Sequence, residues 1–72
     1  MGKQMTFFLF IGMFQGLVDE TKLFRKEKDA EKAFYDYTKL DWGKVCLNEK
    51  DCEELTYGNF AGSEIQELQI EP

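Results

Sequence analysis

From residue 7 to residue 14 the chain reads Phe-Phe-Leu-Phe-Ile-Gly-Met-Phe, eight positions without a charged or polar side chain. Counting back to Met5, the alternation is apolar in both phases. Met5, Phe7, Leu9, Ile11 and Met13 fall on one side, and Phe8, Phe10 and Phe14 on the other. A strand apolar on both faces is normally central and covered on each side, so this segment is expected to be the middle of a sheet. Gln15-Gly16 supplies turn chemistry, because Gly16 tolerates the positive φ of a tight hairpin. Residues 17–25 return as a second strand that alternates polar with apolar positions, the pattern of a protected edge. Gly12, inside the first strand, marks a bulge or a close backbone approach.

The period then changes. Ala30, Ala33, Phe34 and Tyr37 recur at i, i+3, i+4 and i+7, which predicts a helix over 28–40 with one apolar face. Glu27 and Asp29 stand near its start, where the helix dipole favours negative charge. Trp42 is expected to fold back on the core beyond the helix exit. Asn48 can cap a short second helix reaching about Thr56, with Cys52 and Leu55 facing inward. Turn residues follow at Tyr57-Gly58-Asn59 and Gly62-Ser63. Residues 64–70 then have strand character, with Leu68 and Ile70 expected to point inward. Residues 1–72 are thus read as a single α+β domain. It has a small antiparallel three-stranded sheet (β-hairpin, helix, short second helix, C-terminal strand) with the helices packed on it.

Size sharpens this reading. A 72-residue chain buries only about 60% of its unfolded surface, so a second copy covering an apolar face would widen a thin margin. The chain is 43% hydrophobic and 15% aromatic, enough for it to fold alone. Either the 41–62 segment or another chain must cover the second face. Phe8, Phe10 and Phe14 are therefore expected as partner contacts, together with Tyr35 and Tyr57, aromatics better suited to exposed contact than to the core.

The formal charge of −5 is unevenly spread. Residues 1–40 carry seven basic and six acidic groups, whereas 41–72 carry two basic and eight acidic ones. Direct nucleic-acid binding is not expected, since phosphate affinity needs Lys and Arg. An acidic second half is usually a solubilising surface. The sharper alternative is an acidic inhibitor or nucleic-acid mimic of phage or mobile-element type. It would present Glu53, Glu54, Glu64 and Glu67 to a basic DNA-binding partner.

Lys3 before an apolar run resembles a signal peptide only superficially, because no small-residue cleavage pattern follows and Asp19-Glu20 arrive at once. The run is also far short of the roughly 20 residues of a membrane span. A cytoplasmic chain with no membrane contact is expected. Cys46 and Cys52 are then expected to be free thiols, with Cys52 a small core residue.

The chemistry that remains is sparse. There is no histidine, hence neither the commonest general base nor the commonest metal ligand. Ser63 is the only serine and lacks the surroundings of a nucleophile elbow. The x5 spacing of the cysteines is not a redox CxxC, two thiols fall short of a structural zinc site, and the glycines match no phosphate loop. Acid pairs such as Asp19-Glu20, Glu53-Glu54 and Glu64/Glu67 are more often solvated than catalytic. No cofactor, metal or catalytic residue is expected. The leading expectation is a small non-enzymatic protein-interaction module, with a homodimer as one form of it; a small ligand-binding protein with carboxylates in a cleft is a further alternative.

Overall fold

A computed structural model describes residues 4–71 of the chain; Lys3 and Pro72 lie outside the described residues. The order of elements is β1 (Met5–Phe14), β2 (Leu17–Phe24), α1 (Glu27–Thr38), α2 (Glu49–Thr56) and β3 (Glu64–Ile70). The strands form one antiparallel sheet in the order β2-β1-β3, so the doubly apolar strand is central. The fold is α+β, as expected. β1 and β2 meet at Gln15 (φ 52°) and Gly16 (φ 83°), consecutive left-handed residues of the kind that match the twist of a hairpin.

Register fixes which side chains share a face. Phe8 lies opposite Phe24 and Glu67, and Phe10 opposite Lys22 and Ile65. Leu9 lies opposite Leu23 and Gln66, and Phe7 opposite Leu68. α1 takes the Phe8–Phe10 side. Its Ala30, Phe34 and Thr38, spaced by four, are buried. Phe34 meets Phe10 edge to face at 6.2 Å between ring centroids, and Tyr37 meets Phe10 at 5.8 Å. Such T-shaped pairs add roughly 0.5–1.5 kcal/mol beyond area burial. Phe10 and Phe34 are both wholly enclosed. Trp42 closes over Phe34 at 5.0 Å, folding back as its position beyond the helix suggested.

Gly12 fulfils both roles expected of it. The register shifts between Gly12 and Met13, where Asp19 is the extra residue on β2. A Cβ at Gly12 would lie 3.0 Å from Tyr37 Cε2, so the missing side chain is what lets the helix come this close.

Two expectations are corrected. Leu68 and Ile70 share the face opposite α1, and Ile70 is 45% exposed; Ile65, across from Phe10, is the inward residue of β3. α2 packs against neither the sheet nor α1, and none of its residues is fully buried, Cys52 and Leu55 being half-buried. Local bonds hold this helix instead. Asn48 Oδ1 accepts from the N–H groups of Lys50 (2.9 Å) and Asp51 (3.3 Å). The Thr56 hydroxyl donates to the Cys52 carbonyl at 2.8 Å.

Candidate functional site

The sheet has one covered face and one without a helix on it. β1 turns Met5, Phe7, Leu9, Ile11 and Met13 to the uncovered side, all half-buried. β2 adds Val18 (62% exposed) and Leu23 (52%), and β3 adds Leu68 and Ile70. Among the described, paired positions of this face, polar residues sit only at Thr21, Gln66 and Glu64. At one end the Arg25 guanidinium lies 5.0 Å from the Phe7 ring centroid, a cation–π contact that keeps a charge on the rim of the patch. A continuous apolar surface on a small chain is the feature that most often marks an interaction site.

The expected contact residues are distributed differently. Phe10 is wholly enclosed beneath α1, Phe8 is half-buried on the same side, and Phe14 is 42% exposed at the hairpin end, its ring tilted against that of Phe60 at 5.8 Å. Their phase is the covered one. The uncovered phase, Phe7–Leu9–Ile11, was equally visible in the sequence. Gly12 was the signal that separates the two, because the face that lacks a side chain is the one a helix can approach. Tyr35 and Tyr57 are exposed, but neither is on the sheet.

The four glutamates form no single array. Glu53 and Glu54 are on α2, and Glu54 turns back to accept from the Phe60 N–H at 3.4 Å. Glu64 and Glu67, three apart on a strand, project to opposite faces of the sheet. Among the described residues no group of three or more metal-ligating side chains comes together.

Two other places gather polar chemistry. A groove of about 370 Å³ between α1 and β2 is bordered by Glu20, Asp29 and Asp36 with Lys22 and Lys32. Glu20 pairs with Lys22 at 2.8 Å and raises the lysine's pKa through that hydrogen bond and its charge. Beside the groove the Tyr37 hydroxyl donates to Asp19 Oδ2 at 3.0 Å. Loss of solvent, then this bond and the charges of Asp19 and Glu20, push the phenol above its ordinary value.

The second place is at α2. Cys46 and Cys52 are both free, with their sulfurs 3.1 Å apart. They border a hollow of about 480 Å³ together with Glu49, Glu53, Thr56 and Tyr57. The hydrogen bond shared with Cys52, then partial loss of solvent and the charge of Cys52, hold the Cys46 thiol above its usual range.

No helix among the described residues is long and apolar enough to cross a membrane. Compared with protein-family models, with curated proteins and with solved structures, the chain finds no match.

Proposed function

We propose that the chain is a non-enzymatic protein-interaction module that pairs with a second copy of itself through the uncovered face of the sheet. The observation that carries this reading is that β1 is apolar in both phases while α1 covers only the Phe8–Phe10 phase. Leaving Val18, Leu23 and Ile70 in water forfeits roughly 25 cal/mol for each Å² of apolar surface that a partner could cover. A second copy supplies a surface of the same kind at no further requirement on sequence, and two such sheets stack at about 10 Å with interdigitated side chains. The groove and its margin offer less support for ligand or catalytic chemistry, since Glu20 in the groove is already engaged by Lys22 and Asp19 beside it by Tyr37.

Sedimentation velocity across a wide concentration range tests the proposal. Sedimentation as a dimer that dissociates on dilution is the expected result. A monomer at every concentration, with no fluorescence enhancement of an apolar dye, would overturn it.

A further inference from the structure

Cys46 and Cys52 are the chain's only thiols, and the structure holds their sulfurs 3.1 Å apart outside the core. A disulfide needs about 2.05 Å, so an approach of roughly 1 Å joins them. Their positions on the chain give that bond a consequence. Cys46 lies two residues before the capping Asn48, and the Cys52 N–H donates to the Asn48 carbonyl at 2.9 Å, closing the first turn of α2. A link from Cys46 to Cys52 therefore spans the entry of the helix from outside its cap to its second turn. Here a hydrophobic staple would otherwise set the angle of entry. α2 needs such support. Eight residues are too few for a stable helix in water, and α2 makes no packed contact with α1 or any strand.

We propose that Cys46 and Cys52 form a thiol–disulfide exchange site for low-molecular-weight disulfides, and that its oxidation locks α2. In the first step the Cys46 sulfur, the more exposed of the two, attacks one sulfur of the small disulfide. That S–S bond breaks, one half leaves as a thiol, and the other half stays on Cys46. The Cys52 sulfur then displaces it, forming the Cys46–Cys52 bond and releasing the second small thiol. Both protein thiol protons end on the departing thiols or in solvent. The chain loses two electrons, and the small disulfide gains them. Glu49, Glu53 and Tyr57, with the two cysteines, are the titratable groups of the hollow, so a neutral or cationic disulfide reacts faster than the anionic glutathione disulfide. The raised Cys46 pKa keeps that thiol protonated at neutral pH, so exchange quickens as pH rises.

The test uses the intact wild-type chain, equilibrated in glutathione buffers of graded ratio, quenched by alkylation and read by intact mass and non-reducing gel. Expected is a monomolecular species lighter by two hydrogens. In it the amides of α2 exchange roughly tenfold more slowly than in the reduced chain, while those of β1, the internal reference, are unchanged. Cys46→Ser should remove the difference and leave a glutathione adduct on Cys52. The proposal is overturned if wild type forms only glutathione adducts or intermolecular disulfides, or if the bond forms and α2 exchanges as before.

Discussion

At Gly12 a missing side chain makes room for an aromatic cluster. The position where a Cβ would stand is 3.0 Å from Tyr37 and 3.1 Å from the tip of Phe10, both rings on a packed face rather than free side-chain ends. Gly12→Ala must therefore displace Tyr37, and with it the hydroxyl that Asp19 accepts at 3.0 Å. A loss of about 1–3 kcal/mol is expected, the usual range for overpacking, measured as a lower urea midpoint at unchanged slope. The same tyrosine gives the protein an alkaline edge. Its folded-state pKa is raised, chiefly by loss of solvent. The stability tied to the neutral phenol is thus fully present below its ordinary value of about 10 and is lost as pH climbs through the raised one. Urea midpoints of wild type should fall above about pH 10 more steeply than those of Tyr37→Phe. If the two curves run parallel, that linkage is absent. Gly12 was legible in the sequence because a glycine inside an apolar strand demands a reason. Ser63 was not: its buried hydroxyl accepts from the Met13 N–H at 2.8 Å and donates to the Met13 carbonyl at 3.2 Å, across fifty positions that no local pattern spans.

Elements were legible wherever their own residues decide them. The period-two run, the Gln15-Gly16 turn, the i, i+3, i+4, i+7 face of α1 and the Asn48 cap each act within a few residues. The observed bounds of β1 and the start of α2 follow from them. What local pattern does not decide is how the elements choose one another. β1 offers α1 two apolar faces, and the choice between Phe8–Phe10 and Phe7–Leu9 depends on how near a helix can approach. α2 looked like a core helix because Cys52 and Leu55 lie three apart, yet a patterned stripe buries only if the chain can bring it to the sheet. With no strand or other helix packed against it, α2 depends on its cap more than α1 does. Asn48→Ala should cost about 1 kcal/mol, and nearly all of it should appear as local opening. Amide exchange in α2 should speed up severalfold while the sheet amides keep their rates. A uniform increase across the chain would mean instead that α2 belongs to the global folding unit.

The whole molecule is long for its length of chain. Its principal extents are 45 × 24 × 17 Å and its radius of gyration is 13.1 Å. A compact chain of this size would have a radius of about 11 Å. The excess follows from the two features already described, a helix held away from the core and a sheet covered on one side only. A second copy on the uncovered face would turn two layers into four and place the central strand between apolar neighbours above and below. Val18 and Leu23 allow this to be tested without disturbing the monomer. Both are more than half exposed and both are on the uncovered side. Lysine at either position should therefore change monomer stability by only about 0.5 kcal/mol. In a paired sheet the same lysines would be driven into an apolar contact without partners, which is far more costly. The Val18→Lys/Leu23→Lys variant should consequently sediment as a monomer at concentrations where wild type pairs. Wild-type pairing should also persist as salt is raised, because apolar contact is not screened, whereas an assembly held by the acidic second half would weaken. A variant that still pairs as wild type does would place the contact elsewhere, and pairing that dissolves in salt would move it to the acidic surface.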